Sequence, residues 1–586
     1  MKIINPITQV KFYYREDRII RKVAEDIRDG FDQFHTEFKL RTKRAEEFFN
    51  TRKWQSIQNL SRKRLDLYKY YVAASVEQTE NSLKHKIQDY NLWRKLKANF
   101  QELIAGRYDE PIVETFFNSV LRKIFIEHGF IREMEFLGQE RRIKYVDPDV
   151  PIYDTYYLHN DTMEILLNKV LYRYNFPYNF KKLDILIPRL ARNLAKAIKK
   201  AFGRFDFDRF EVLRPVFYRN KGAYVVGRVI KGNRVMPVII PFIHPETGVE
   251  VDNVLFTYDQ TSVVFSFTRS YFLVYAENPA EIILFLRPLM PHKVISELYS
   301  SIGYNRHSKT ILYREMFEYL DKHPKEKFDY APGIPGMVMT VFTLPFFNMV
   351  FKVIKDNFKA PKTVTREHVV KSYRLVFMHD RVGRLADALE FEYLIFDKSR
   401  FCNELLEELT TRASETVKIS GDKVVITQVF TERKMIPMNL YLADNSYPDE
   451  LKRKVVIDYG QAVKDLATAN IFPGDLLMKN FGVTRQGRVV FYDYDELCFL
   501  KDCNFRRIPP TRNIEQEYEA DPYFTVGEND IFPEKLRAFM IPAPGTLRNV
   551  FLKRHDDLFD VEYWKKMQYL MANDSLEDVF PYDRLE

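Results

Sequence analysis

Two carboxylates and an amide lie close together near residue 480, at a spacing that suits phosphoryl transfer. Asp475 precedes Asn480 by five residues, and Asp493 follows a predicted hairpin that turns at 486–487. Phosphoryl transfer needs a positioned nucleophile and a divalent metal that neutralises charge on the phosphate oxygens. Mg²⁺ prefers oxygen ligands, so Asn480 and Asp493 are suitable metal ligands. Asp475 could orient the attacking hydroxyl or accept its proton. The alternative is an ordinary turn, where Asp, Asn and Gly are common.

A glycine-bearing segment and a strand lysine lie upstream of these residues. Residues 331–337 read Ala-Pro-Gly-Ile-Pro-Gly-Met, and Lys352 lies in an otherwise apolar predicted strand. Glycine lets a backbone approach phosphate closely, and a buried lysine requires a partner, which phosphate oxygens would supply. The alternative for Lys352 is an amine that reaches solvent. Its candidate acidic partners are Glu390 and Glu392.

The order of these parts resembles that of a protein kinase, in which a glycine loop and a strand lysine precede the catalytic loop and the metal-binding aspartate. Thr365 suits the N-cap of a predicted helix at 366–379, and a second helix is predicted at 450–469. A predicted strand at 424–430 leads to a predicted nucleotide hinge at 431–437. Together these features predict an ATP site built from Lys352 and the residues around Asp475.

Two departures from the usual kinase pattern affect the expected control and metal binding. Pro473-Gly474 replaces the usual His-Arg before the catalytic aspartate, so the usual arginine clamp on a phosphorylated loop is missing. We therefore expect control by small-molecule effectors rather than by a phosphate on residues 497–530. Asp493-Tyr494-Asp495 replaces Asp-Phe-Gly, which leaves Asp495 as either a further metal ligand or a polar loop residue.

Composition excludes several other classes of protein. The net charge of +9 is a small excess of 90 basic over 81 acidic residues among 586, which predicts no nucleic-acid partner. Three cysteines form no disulfide framework, zinc site or Cys-x5-Arg phosphatase motif, which favours a reducing cytoplasm. The most apolar run, 337–354, is interrupted by polar residues and a proline, so no membrane span or leader peptide is expected.

The pattern along the chain predicts an α+β protein with two domains. Residues 1–325 form a large, mostly helical regulatory domain with an antiparallel β insertion near 222–276, whose predicted strands include 254–258 and 263–267. Residues 326–586 form a two-lobed domain like that of a protein kinase.

Longer motifs resemble one particular family, the bacterial isocitrate dehydrogenase kinase/phosphatases. The resemblance covers essentially the whole chain. One departure is Pro335 inside the glycine turn, because proline stiffens a loop that would otherwise be flexible around phosphate. The motifs are Ala-Pro-Gly-Ile-Pro-Gly-Met (331–337), Val-Phe-Lys-Val-Ile-Lys-Asp (350–356), His-Asp-Arg-Val-Gly-Arg-Leu-Ala-Asp (379–387), Asn-Ile-Phe-Pro-Gly-Asp (470–475), Lys-Asn-Phe-Gly-Val-Thr-Arg (479–485) and Val-Val-Phe-Tyr-Asp-Tyr-Asp-Glu (489–496).

The resemblance implies one active site that phosphorylates a serine of isocitrate dehydrogenase and also removes the phosphate, controlling entry into the glyoxylate bypass. It implies ATP, with ADP for the phosphatase reaction, and Mg²⁺ or Mn²⁺. It also implies an AMP-type effector and leaves a homodimer open. The residues that it implies for the site are Asp387, tied to the phosphatase reaction, and, for ATP, Ala331, Pro332, Gly333, Ile334, Pro335, Gly336, Met337 and Lys352. The kinase-like pattern of the residues adds Asp475 for catalysis and Asn480, Asp493 and Asp495 for metal.

Two alternatives stay open from the residues themselves. One is a kinase-fold enzyme for a small molecule, and the other is a non-catalytic scaffold with a vestigial pocket. The residues favour the single kinase-like pocket for both reactions, because Asp387 or Asp475 could orient a water there. The alternative for Asp387 is the N-cap of a helix at 388–393.

Overall fold

The computed structural model describes residues 6–125, 132–136, 151–159, 161–266, 271–358, 364–379, 382–509, 524–527, 529–541, 545–573 and 579–584. The chain divides into two compact units. The first comprises Met1–Tyr319 and Tyr582–Glu586, and the second comprises Leu320–Pro581. The predicted domain boundary at 325/326 stays a prediction.

Ten helices account for most of the described part of the first unit. The predicted periodicity of the first helix is confirmed, since Ile20, Val23, Ile27 and Phe31 are all buried in the core of this unit. The helices are α1 (Pro6–Asn50), α2 (Trp54–Leu83), α3 (Tyr90–Ile104), α4 (Glu110–Phe125), α5 (Met163–Leu171), α6 (Phe180–Phe202), α7 (Tyr258–Val264), α8 (Pro279–Leu286), α9 (Ile295–Ser301) and α10 (Asn305–Lys322).

A six-stranded antiparallel sheet lies among these helices, in the order β1-β2-β4-β5-β6, with β3 paired to β4. The predicted hairpin with its turn at 231–233 is confirmed, because Lys231 pairs with Arg234. The sheet begins well before residue 222. Its strands are β1 (Tyr153–Tyr156), β2 (Arg209–Leu213), β3 (Phe217–Arg219), β4 (Gly222–Lys231), β5 (Arg234–Ile243) and β6 (Glu250–Val251).

The predicted strands at 254–258 and 263–267 are wrong. Residues 258–264 form helix α7, while Leu255 makes only an isolated bridge to Ile239 and residue 267 lies outside the described residues. The cause is local: Thr257 and Gln260 form a capping box in which each side chain bonds the other residue's backbone. Such a box starts a helix even where β-branched residues follow it.

The second unit begins with another six-stranded antiparallel sheet, in the order β10-β12-β9-β8-β7, with β11 paired to β12. Helix α11 has the predicted limits. The strands are β7 (Asp329–Tyr330), β8 (Met339–Thr343), β9 (Met349–Ile354), β10 (Ala388–Asp397), β11 (Val417–Ser420) and β12 (Lys423–Arg433), and the helices are α11 (Arg366–His379) and α12 (Asn403–Arg412).

The rest of the second unit is mainly helical, with one short three-stranded sheet and two short strand pairs. Helix α14 matches its predicted limits within one residue, and its buried Val455, Tyr459, Val463 and Leu466 recur every three or four residues. The helices are α13 (Met438–Ala443), α14 (Asp449–Thr468), α15 (Pro533–Met540), α16 (Thr546–His555) and α17 (Val561–Ala572), and the strands are β13 (Ile436–Pro437), β14 (Ile471–Phe472), β15 (Phe481–Val483), β16 (Val489–Phe491), β17 (Cys498–Phe499), β18 (Asn504–Phe505) and β19 (Asp530–Ile531).

The protein is therefore an α+β protein, with a large helical unit that contains an antiparallel sheet and a second, kinase-like unit that pairs a sheet with a helical part. Across the described part of the chain, no helix is both long enough and apolar enough to span a bilayer.

Candidate active site

Lys352 lies on β9, the third strand after the start of the second unit, between Val341 of β8 and Phe430 of β12. Glu432 lies two residues beyond Phe430, so its side chain is on the same face of the sheet as that of Lys352. The Lys352 Nζ atom is 2.8 Å from Glu432 Oε2 and donates to the Tyr492 carbonyl at 2.8 Å. Lys352 is 6% exposed and Glu432 is 1% exposed. The lysine is therefore buried and paired, and its amine does not reach solvent freely.

The predicted acidic partners of Lys352 are wrong. Glu390 accepts a hydrogen bond from Gln428 Nε2 at 2.6 Å, and Glu392 is exposed on β10. Protein kinases take this carboxylate from the helix that corresponds to α11. Here α11 places the ring of Tyr373 6.0 Å from the lysine amine instead. The ion pair is consequently built within one sheet rather than between a sheet and a helix.

Burial strongly affects the Glu432 carboxyl. Its burial raises its pKa to about 7; Lys352 opposes this shift, while Asp493 and Asp387 add to it. Its second oxygen, Oε1, is buried without a hydrogen-bond partner among the described residues. An orphaned carboxylate oxygen beside a buried lysine is costly unless a further polar group arrives. This corner of the site therefore fits a bound polar ligand.

The sequence-predicted metal ligands meet beside Lys352. The Tyr492 peptide joins them, because its carbonyl accepts from Lys352 while its N–H donates to the Asn480 carbonyl at 3.1 Å. Asp493 follows directly, and Asp495 is buried two residues later. The Asn480 side-chain NH₂ donates to the Asp475 carbonyl at 3.3 Å, which turns its amide oxygen away from that loop. Lys352, Asn480 and Asp493 are thus brought together.

The donor set fits magnesium chemically. Among the described residues no group of three or more His, Cys, Asp and Glu side chains could by itself hold a metal ion. Two carboxylates and one amide oxygen form a smaller, all-oxygen set. Mg²⁺ is usually held this way, by few protein oxygens together with water and substrate phosphates. Asn480, Asp493 and Asp495 are the residues that would hold it.

Asp475 lies in the loop between β14 and β15. Its Oδ1 atom accepts from the Leu477 N–H at 3.0 Å, which fixes the carboxylate orientation. Gly474 has φ +78°, and a side chain there would collide with the Glu496 carbonyl. A residue such as the arginine of ordinary kinases does not fit at this position. The Pro473-Gly474 departure is therefore explained by the close approach of two backbones.

Asp387 lies beside β16, the strand that leads to Asp493. The helix alternative for residues 388–393 is wrong, because β10 starts at Ala388. Ahead of it, Leu385 forms a parallel bridge with Phe491, and the Ala386 N–H donates to the Phe491 carbonyl at 2.9 Å. Asp387 and Asp493 consequently follow two neighbouring backbone segments held side by side.

Arg384 joins helix α14 to the backbone segment before Asp387 and to strand β16, which leads to Asp493. This residue was not singled out from the sequence. Its guanidinium donates to Asp458 at 2.7 and 2.8 Å, to Asp465 at 2.7 Å and to the Val489 carbonyl at 2.9 Å. Asp458 and Asp465 are seven residues apart, so they lie on one face of the helix. Burial alone would raise the pKa of Asp458, but Arg384 lowers it overall. The signal in the sequence was the pair of acidic residues two helical turns apart.

The predicted phosphate loop, residues 331–337, connects β7 to β8. Its N-terminal end is held by the Ala331 N–H, which donates to the Val341 carbonyl at 3.0 Å opposite Lys352. Its C-terminal end is held by Lys355, whose amine donates to the Gly336 carbonyl at 2.8 Å and lies 3.2 Å from Glu408. Residues 332–337 are exposed. Sequence reasoning missed Lys355, and a second lysine near the apolar strand was the available signal.

Comparisons with known proteins agree with this geometry. A family model described as isocitrate dehydrogenase kinase/phosphatase (AceK) kinase domain matches residues 326–584, and one described as the regulatory domain of the same protein matches residues 24–325. The chain is 41% identical over 560 residues to the isocitrate dehydrogenase kinase/phosphatase of Anaeromyxobacter sp. (strain Fw109-5), covering 95% of this chain and 96% of that one.

The chain belongs to the isocitrate dehydrogenase kinase/phosphatase family. Two further relatives carry the same name. The protein of Burkholderia thailandensis is 39% identical, with 96% of this chain and 93% of that one covered. The protein of Acidovorax sp. (strain JS42) is 38% identical, with 96% and 95% covered. The similarity extends over 93–96% of the length of these relatives. Both units therefore have counterparts within the family.

Proposed function

We propose that this protein is a bifunctional enzyme that uses ATP to phosphorylate a serine of isocitrate dehydrogenase and also removes that phosphate in the same pocket. The two reactions would control flux between the citric acid cycle and the glyoxylate bypass. The observation that carries the proposal is the 2.8 Å hydrogen bond from Lys352 to the Tyr492 carbonyl, which places the lysine beside Asp493. A lysine and metal-binding oxygens at one site are what phosphoryl transfer requires.

In the kinase direction, different residues of the pocket bind the nucleotide, accept the proton of the serine and bind the metal. Residues 331–337 cover the nucleotide phosphates, and Lys352 contributes positive charge to them. Asp475 accepts the proton of the serine hydroxyl as its oxygen attacks the γ-phosphorus and ADP leaves. Asn480, Asp493 and Asp495 would hold Mg²⁺ or Mn²⁺, which would neutralise negative charge on the transferred group.

In the phosphatase direction, with ADP as the nucleotide present, Asp387 orients a water against the phosphoserine phosphorus and takes its proton. The bond between phosphorus and the serine oxygen breaks, and that oxygen takes up a proton to give serine and free phosphate. Asp387 is suited to this role because its backbone neighbours are hydrogen-bonded to the strand that leads to Asp493. Its carboxyl also raises the pKa of buried Glu432, so the two groups lie within electrostatic reach. Asp387→Ala is expected to reduce dephosphorylation more than phosphorylation, and an equal loss of both would contradict this division of roles.

We assign catalysis to residues 326–586 and regulation to residues 1–325, with an AMP-type nucleotide as effector. The missing arginine before Asp475 supports effector control over loop phosphorylation. The cysteines are all free thiols, which supports a cytoplasmic location. A homodimer is compatible with these assignments and is tested by the mass of the protein in solution.

The test is incubation of the purified protein with labelled ATP, Mg²⁺ and isocitrate dehydrogenase. Label on a serine of the dehydrogenase supports the proposal, and its later release with ADP present supports the second activity. Label on a metabolite would show a small-molecule kinase instead. No transfer at all would leave a non-catalytic scaffold.

A further inference from the structure

Two cysteine thiols lie against each other just beyond the proposed metal residues. Cys498 is on β17, and Cys503 follows the short 3₁₀ turn Leu500–Asp502. Their Sγ atoms are 3.6 Å apart. A disulfide has an S–S distance of about 2.05 Å, so the sulfurs need to approach by about 1.5 Å.

The turn between the two cysteines keeps their thiols near each other. Lys501 and Asp502 are exposed, but Leu500 is buried and its carbonyl accepts from Gln568 Nε2 at 2.8 Å, so the turn is anchored. The Cys503 N–H donates to the Leu500 carbonyl at 3.2 Å, which keeps Cys503 folded back towards β17. The two thiols are therefore held near each other by local structure, and disulfide formation requires Cys498 and Cys503 to move towards each other.

The two thiols differ in access and in acidity. Cys498 is half-buried and Cys503 is 8% exposed, so a small oxidant reaches Cys498 first. The hydrogen bond with Cys503 lowers the pKa of the Cys498 thiol, and the same bond together with burial raises the pKa of Cys503. Since the thiolate is the reactive form, Cys498 has the character of the residue that attacks the oxidant, and Cys503 that of the residue that then resolves the sulfenic acid.

The pair is directly joined to the loop that carries Asp475. Cys498 pairs with Phe472 of β14, and its Sγ atom is 3.8 Å from the Phe472 carbonyl. Phe472 precedes Gly474, whose backbone lies against Glu496. A movement of Cys498 is therefore transmitted to both sides of the catalytic loop.

We propose that Cys498 and Cys503 form a reversible oxidation site for hydrogen peroxide, and that the disulfide formed there slows phosphoryl transfer. The Cys498 thiolate attacks one peroxide oxygen, the O–O bond breaks, and hydroxide leaves to give a sulfenic acid. The Cys503 sulfur then attacks the Cys498 sulfur, water leaves, and the disulfide forms. In total two thiols are oxidised and one peroxide is reduced to two waters. A dithiol reductant restores both thiols by exchange.

The chemical test uses the full-length protein treated with hydrogen peroxide, alkylated and measured by intact and peptide mass spectrometry. We expect the loss of two hydrogen atoms and a linked peptide that contains Cys498 and Cys503, both reversed by dithiothreitol. Cys402 is an internal control, because it has no cysteine neighbour among the described residues and should still be alkylated. Alkylation of Cys498 and Cys503 after peroxide, or oxidation of Cys498 to sulfinic acid without a link, would overturn the proposal.

The functional arm rests on the proposed kinase activity. Misplacing reacting groups by about 1 Å can reduce a rate about 100-fold, so we expect peroxide to lower kcat by at least about tenfold, with a smaller change in KM for ATP. Cys498→Ser and Cys503→Ala should keep full kcat after the same treatment, whereas Cys402→Ser should remain sensitive. A disulfide with unchanged kcat would refute the coupling. A protein without kinase activity that still forms the disulfide would refute the proposed function and leave the oxidation site standing.

Discussion

Replacing Glu432 by glutamine removes the charge that balances Lys352 while keeping the size of the side chain. Both partners are under 10% exposed, so solvent screens the pair little. The Glu432 carboxyl, whose pKa is about 7, is ionised at pH 8, where its charge holds the Lys352 ammonium in place. The uncharged amide does not, and Lys352 then keeps its hydrogen bond to the Tyr492 carbonyl. Misplacing a reacting group by about 1 Å can cost about 100-fold in rate, so kcat/KM for ATP at pH 8 should fall by about that factor.

The assay is initial-rate phosphorylation of isocitrate dehydrogenase at varied ATP, with circular dichroism to show that each variant is folded. Glu392→Gln is the matched control, because it makes the same chemical change on the neighbouring strand β10, where the side chain is exposed. It should keep the wild-type rate. Normal kinetics for Glu432→Gln, or a comparable loss for Glu392→Gln, would refute the assignment of Glu432 as the partner of Lys352.

Three further predictions concern the same pocket. Since folding raises the pKa of Glu432 to about 7, its contribution to stability is fully present below about pH 4.5 and is lost as pH rises through 7. Between pH 5 and pH 8, urea unfolding should therefore show the wild type losing about 2.5 kcal/mol relative to Glu432→Gln, and a constant difference would contradict the shift. Arg384→Lys cannot span Asp458 and Asp465, so it should lower the free energy of unfolding by about 3 kcal/mol in urea titrations, while Arg374→Lys, at an exposed arginine, should change little; equal stability would refute the clamp. Gly474→Ala should reduce kcat about 100-fold, because the added methyl group would push the catalytic loop away from Glu496. Gly487→Ala should keep the wild-type kcat, because Gly487 has a similar positive φ but no atom lies near its added methyl group. A normal kcat for Gly474→Ala would show that the contact with Glu496 does not matter.

The sequence predicted those elements whose side chains follow a simple local period. Helix α14 was predicted within one residue because Val455, Tyr459 and Val463 recur at helical spacing. Helix α7 was missed because its start is encoded by the Thr257–Gln260 capping box rather than by hydrophobic period. A local sequence pattern predicts an element correctly only when it is the pattern that determines the conformation there, as hydrophobic periodicity does for α14 and the capping box does for α7.

The candidate site was predictable where it depends on spacing along the chain, and not where it depends on strand register. Asp475, Asn480 and Asp493 belong to one continuous motif, and the structure brings Asn480 and Asp493 beside Lys352. Glu432 was missed because it becomes the partner of Lys352 only when β12 pairs with β9 in one register. A shift by one residue would place it on the opposite face of the sheet.

One pocket is proposed to perform both the phosphorylation of isocitrate dehydrogenase and the hydrolysis of its phosphoserine. The most direct measurement is the rate of phosphorylation and of dephosphorylation of isocitrate dehydrogenase by Asp493→Asn, over a range of Mg²⁺ concentrations. This near-isosteric change removes one charge from the proposed metal site. We predict that both rates fall together and that both are partly restored by high Mg²⁺; a normal dephosphorylation rate beside a lost kinase rate would contradict the single pocket.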